Sequence, residues 1–271
     1  DDDTPTIDIT NPDSSALDQE NITIPEGTEA VFAIELGKVS EDGSVLKLEL
    51  NDGTATTPSD YNFDTFQYST DGGTTWIDVP ANGEIPVAGG DSDLLVKTDT
   101  VQDLVDEADE TFKIKGTLTS NGTPYTDEST ATILDDDTSV VAKITDAKET
   151  EGTDLTHTVT MSNEADSVKT YAFDVSDVTA TAGEDYTATP VFTNGVTYDS
   201  ITGEITVPAN VKTFDVTFPG LKDLIDEKDE TYKLEIGGKD ATGTIVDDDT
   251  PTIDITNPDS SALDQENITI P

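Results

Sequence analysis

The stretch DLVDEADETF, Asp103–Phe112, places five carboxylates in ten residues, and DLIDEKDETY, Asp223–Tyr232, repeats the pattern. Two carboxylates about 4.5 Å apart repel by ~4 kcal/mol at an effective dielectric of about 20, so a loop that gathers several either splays them into water or neutralises them. Carboxylates are hard oxygen donors. A cation such as calcium takes about six to eight oxygens, more than one short peptide supplies. The chemistry these residues offer is cation binding, and it requires several loops to converge.

The elements that must bring those loops together are strands. Apolar and polar residues alternate in AVFAIEL from Ala30, VLKLEL from Val45, THTVTM from Thr156, KTYAFDV from Lys169 and FDVTF from Phe214, which is the period of a half-buried strand. Turn signals punctuate them at Asp52-Gly53, Asp71-Gly72, Asn82-Gly83, Asn121-Gly122 and Asn194-Gly195. No amphipathic helix is predicted. Short strands at this spacing predict an all-β protein of immunoglobulin-like β-sandwich domains, whose loops cluster at the two ends of each sandwich.

Repeats set the domain organisation. DDDTPTIDITNPDSSALDQENITIP stands at Asp1–Pro25 and again, unchanged, at Asp247–Pro271, the signature of a tandem array. The sequence is therefore expected to be a segment of a longer protein. Inside that period lies a more diverged repeat. PEGTEAVFAIEL from Pro25 matches TEGTDLTHTVTM from Thr150, PSDYNF from Pro58 matches GEDYTA from Gly183, and ATILDDDT from Ala131 matches GTIVDDDT from Gly243, with the two acidic stretches between them in the same order. The expected domains are 1–137, with an extra loop at Tyr61–Gly90, and 138–249, followed at 250–271 by the opening strand of a third.

Composition excludes several function classes. The 271 residues carry 13 Lys plus Arg against 59 Asp plus Glu, a formal charge of -46. Such a charge repels nucleic acid and anionic membranes and attracts cations. No apolar run is long enough for a membrane span. There is no Cys and a single His, His157, which removes disulfides, Ser-His-Asp and Cys-His catalysis, and multi-histidine zinc sites. His157 reads as a polar residue on a strand face, and the isolated Asp166, Asp174 and Asp177 read as solvated surface.

As an ordered set, EGT near the first strand, DY in an early loop, D-x-x-D-E-x-D-E-T-[FY] before a late strand and a closing T-I-x-D-D-D resemble the Calx-beta domain. That family of calcium-binding sandwiches is found in sodium-calcium exchangers and, in tandem, as extender domains of giant bacterial RTX-type adhesins. Carried over residue by residue, the resemblance implies calcium ligands at Glu26, Asp60, Asp103, Glu107, Glu110, Asp135, Asp136 and Asp137. The second domain offers Glu151, Asp185, Asp223, Glu227, Glu230, Asp247, Asp248 and Asp249. Family members often have consecutive acids just before the DE-x-DE stretch, whereas here Gln102 and Leu104 flank Asp103, and Lys222 and Leu224 flank Asp223.

Three other motifs point elsewhere. STDGGTTW, Ser69–Trp76, fits the Asp-box of propeller enzymes, but it occurs once and in propellers it is a structural hairpin. Paired carboxylates also serve glycosidases, but no cluster of aromatic or amide residues accompanies these. No EF-hand loop is present. The expected function is a non-enzymatic, calcium-stabilised spacer of an extracellular bacterial surface adhesin. It would be monomeric, with neighbouring domains of its own chain as partners. The alternative is a glycan- or protein-binding module using Tyr61–Gly90.

Overall fold

In the computed structural model, which describes residues 4–13, 15–39, 44–87 and 90–253, the alternating segments are strands with their apolar faces inward. Along Glu29–Val39, Ala30, Phe32, Ile34 and Leu36 are buried while Glu29 and Glu35 face water. The chain divides into two units, Asp1–Thr138 and Ser139–Pro271. No helix occurs among the described residues, so none is long and apolar enough to cross a membrane.

Unit 1 is a sandwich of two five-stranded sheets. One runs in the order Thr6–Thr10, Glu29–Val39, Gly90–Thr100, Tyr61–Ser69, Ile77–Asp78, and the other Ile22–Pro25, Thr123–Leu134, Glu110–Ser120, Ser44–Asp52, Glu84–Val87. Between them lies one apolar cluster that includes Phe32, Ile34, Leu46, Tyr61, Val96 and Phe112. Unit 2 repeats the plan. Its first sheet orders Val141–Ile144, Leu155–Met161, Thr213–Phe218, Val191–Phe192, and its second Ala147–Thr150, Lys239–Val246, Glu230–Ile236, Lys169–Asp177, Glu204–Val207, Thr197–Asp199.

Register decides where the acids go. Most neighbours are antiparallel, but Ile22–Pro25 runs parallel to Thr123–Leu134, pairing Pro25 with Leu134, so Glu26 and Asp135 leave the sheet side by side. Glu110 pairs with Ile133 and Asp52 lies opposite Phe112, which brings the 103–110 stretch and the loop after Asp52 to the same end. Unit 2 does the same. Thr150 pairs in parallel with Val246, Glu230 with Ile245 and Asp177 with Tyr232.

One expectation needs correcting. Tyr61–Gly90 is not an extra loop: its turn at Asp71-Gly72 closes the hairpin of Tyr61–Ser69 and Ile77–Asp78, and Asn82-Gly83 leads into Glu84–Val87 on the other sheet. Unit 2 carries its own strands at Val191–Phe192, Thr197–Asp199 and Glu204–Val207. Much of the length peculiar to unit 1 lies elsewhere: between its first two strands, Thr6–Thr10 and Ile22–Pro25, where unit 2 has only Thr145 and Asp146, and in the longer strands Glu110–Ser120 and Thr123–Leu134.

His157, expected as a polar residue on a strand face, lies on the strand Leu155–Met161 and is fully buried. Its Nδ1 lies 2.8 Å from the Thr145 carbonyl oxygen and its Nε2 2.9 Å from the Tyr232 hydroxyl. A carbonyl only accepts, so Nδ1 carries the proton and Nε2 accepts from Tyr232. The opening strand expected in 250–271 falls, from Asp254 on, outside the described residues.

Candidate metal centre

Each unit gathers its acids at one end, in two groups. In unit 1, single carboxylate oxygens of Glu26, Asp103 and Asp137 lie within 4.8 Å of one another, and so do those of Asp60, Glu107 and Glu110. In unit 2 the same holds for Glu151, Asp248 and Asp249 and for Asp185, Glu227 and Glu230. The latter group matches its unit 1 counterpart position for position. Asp135 lines the unit 1 cleft with Glu26, Asp60, Asp103, Glu107 and Glu110. Asp223 and Asp247 line the unit 2 cleft with Glu151, Asp185, Glu227 and Glu230. Asp136 stands beside Glu26, accepting from the Gln102 amide.

Local structure holds the ligands without using up their oxygens. The amide of Glu26 donates to the Leu134 carbonyl at 3.1 Å and that of Glu151 to Val246 at 3.0 Å, extending the parallel ladder by one residue and fixing the glutamate beside the DDD run. Asp60 Oδ2 accepts the Thr56 amide at 2.6 Å, and Asp185 Oδ2 the Thr181 amide at 2.6 Å. Those bonds form a tight turn and leave Oδ1 aimed elsewhere. Asp103 Oδ1 accepts from the Val105 amide and Asp223 Oδ1 from Ile225, both at 2.7 Å.

The DY motif owes its tyrosine to packing. Tyr61 stacks on Phe112 with centroids 4.3 Å apart, and Tyr186 on Tyr232 at 4.5 Å. Their hydroxyls donate to Asp52 at 2.5 Å and Asp177 at 2.7 Å. Asp177 is exposed, as expected of a solvated surface residue, and in addition it anchors a buried tyrosine. Sequence reasoning missed Asp52 and Asp177 as partners. The signal was available, because each is the last residue of a strand nine positions before its tyrosine.

The electrostatics are those of crowded anions. Burial, then the charges of Asp103 and neighbouring acids, push Glu26 up to about 7. Glu26 is only 7% exposed, which is unusual for a glutamate. Burial, helped by a hydrogen bond with Asp248, pushes Glu151 up to about 7, and burial with the adjacent Asp185 does the same to Glu230. Burial also raises Asp135.

A hard cation fits this donor set, which contains carboxylate oxygens and neither nitrogen nor sulfur. Asp135 Oδ1, Asp247 Oδ1 and Asp249 Oδ2 are buried and accept no hydrogen bond. A buried oxygen without a donor is costly, and a cation supplies what each lacks. The Asp-box hairpin offers no comparable site. Asp71 accepts from Ser69, Thr74 and Thr75 within its own turn, which holds it down at about 2, and Lys97 Nζ sits 4.7 Å from the centre of the Trp76 ring.

No family model matches the chain, and neither does any curated protein. Among solved structures it is similar to calcium binding domain CBD12 of CALX1.1, at 19% identity over 80% of this chain and 77% of that one, with a TM-score of 0.31. It is also similar to the apo form of the Calx CBD1 domain, at 20% identity over 49% of this chain and 99% of that one, with a TM-score of 0.34. For titin Ig tandem domains the identity is 10%, over 91% of this chain and 97% of that one, with a TM-score of 0.29. With TM-scores this low, none of these likenesses bears on what this chain does.

Proposed function

We propose that each unit binds calcium at its acidic end and that the chain is a calcium-stabilised spacer segment of a large, extracellular bacterial surface adhesin of the RTX type. The observation that carries the calcium half is the convergence of the same acids on one end of each of two diverged units, with Asp135 Oδ1 and Asp247 Oδ1 buried and lacking donors. An indifferent acidic surface has no reason to bury such oxygens. Calcium suits the site better than magnesium because it tolerates many carboxylate ligands in irregular geometry.

The spacer half rests on the sequence. Identical 25-residue stretches a full period apart point to an array. Asp135–Asp137 end with only Thr138 between them and Ser139, the first residue of unit 2, so an ion that orders this run also orders the connection between neighbours. Neighbouring domains of the same chain are then its partners, and the chain itself is monomeric. Millimolar calcium outside cells keeps even weak sites filled.

Calorimetric titration of chelator-stripped protein tests the first half. Saturable calcium binding with much weaker magnesium binding is expected, and no saturable heat up to millimolar calcium overturns it. Small-angle scattering tests the second. Calcium should narrow the spread of interatomic distances, and an unchanged distribution would leave a calcium-binding protein that is not a stiffened spacer.

A further inference from the structure

Resting on that reading of the site, we propose that Lys222 is a tethered counter-ion that takes the place of a divalent cation in unit 2, so that the two units hold unequal numbers of ions.

Gln102 and Lys222 each stand immediately before the first aspartate of the acidic motif. Both reach across to the same pair of carboxylates. Gln102 Nε2 donates to Glu26 Oε1 at 2.5 Å and to Asp136 Oδ1 at 3.1 Å. Lys222 Nζ lies 3.4 Å from Glu151 Oε1 and 2.6 Å from Asp248 Oδ1. Glycine makes the reach possible in both units. A Cβ on Gly27 would stand 2.8 Å from the Gln102 Cβ, and one on Gly152 would stand 2.9 Å from the Lys222 Cβ. The shared EGT motif is therefore the seat over which the residue at 102 or 222 crosses.

The geometry is shared and the charge is not. An amide donates hydrogen bonds but leaves the anionic charge of Glu26, Asp103 and Asp137 in place, so that group still calls for a cation. An ammonium supplies one. At 2.6 Å from Asp248 Oδ1, Lys222 Nζ forms a direct ion pair. A divalent ion bound to Glu151 and Asp248 would lie within a few ångströms of that ammonium and be repelled by it. The neighbouring group of Asp185, Glu227 and Glu230 keeps the acids of its unit 1 counterpart and remains the place for an ion in unit 2.

Equilibrium dialysis of the whole chain against radioactive calcium tests this, with far-ultraviolet circular dichroism to confirm folding. Lys222→Gln is expected to raise the bound calcium by at least one ion per chain, Gln102→Lys to lower it by at least one, and Lys222→Arg to match the wild type. Stoichiometry that stays the same in wild type, Lys222→Gln and Gln102→Lys overturns the inference while leaving calcium binding intact. A wild-type chain that takes up no calcium overturns the underlying reading instead. If Lys222→Gln folds only with calcium present, the ammonium has been doing the ion's work and the inference is supported.

Discussion

Tyr186 lies on Tyr232 with ring planes 22° from parallel, while its hydroxyl donates to Asp177 Oδ1 at 2.7 Å. Tyr61 repeats the arrangement on Phe112, 16° from parallel, donating to Asp52. The residue next to a candidate ligand, Asp185 or Asp60, is thereby held at both ends. Tyr186→Phe keeps the ring stack and removes a hydrogen bond to a carboxylate, a loss of ~1.5–3 kcal/mol. Urea denaturation should show it in the unit 2 transition, and calcium affinity of that unit should fall because the Asp185 turn loosens.

The acids of each group should have opposite effects with and without calcium. Glu230→Gln removes repulsion with Asp185 and Glu227, two of the charges that raise Glu230, so in chelator the melting temperature of the variant should rise by a few degrees. In calcium the same change removes a ligand, and affinity at that unit should fall at least tenfold. Calorimetry under both conditions checks the pair of signs. A solvated acid would give neither.

Acidity should act on the calcium-free protein through Glu26, Glu151 and Glu230, each pushed up to about 7. Their folded values lie above the unfolded ones, so the folded state holds protons that the unfolded state has released between about pH 4.5 and 7. Stability in chelator should therefore decline as pH rises through that window. Calcium must displace those protons, so its affinity should weaken as pH falls below about 7. Melting curves and calcium titrations at several pH values test both trends.

His157 pulls the other way in unit 2. Burial lowers it below the usual histidine range, so the stability of its neutral form is present above about pH 6.5 and lost as pH falls further. His157→Leu would strand the half-buried Thr145 carbonyl and the buried Tyr232 hydroxyl. The expected cost is ~2–5 kcal/mol, measured by chemical denaturation, with the unit 1 transition unmoved.

The all-β architecture was legible in the sequence because side chains with period two, such as Ala30, Phe32, Ile34 and Leu36, have only one way to share a core face. The acids were legible as a set because two diverged units repeat them. Their grouping was not. Nothing in the order of residues says that Glu151 meets Asp248 and Asp249 while Glu26 meets Asp103 and Asp137. The role of the side chain at 102 or 222 likewise appears only when parallel pairing at Pro25 and Thr150 sets the glutamates beside the DDD runs. What His157 and Asp177 bond to was hidden for a related reason: their partners, Tyr232 and Tyr186, are known only once distant segments are brought together by the fold.

Calorimetric unfolding in excess chelator, in millimolar calcium and in millimolar magnesium tests the central claim most directly. One site at a free calcium concentration a hundredfold above its dissociation constant adds ~2.7 kcal/mol, on the order of 10 °C for a unit of this size. Calcium should raise the unfolding temperature of both units by that order, and magnesium by far less. Unfolding at the same temperature in all three solutions would contradict the account and leave the acids of Asp103–Phe112 and Asp223–Tyr232 as solvated surface.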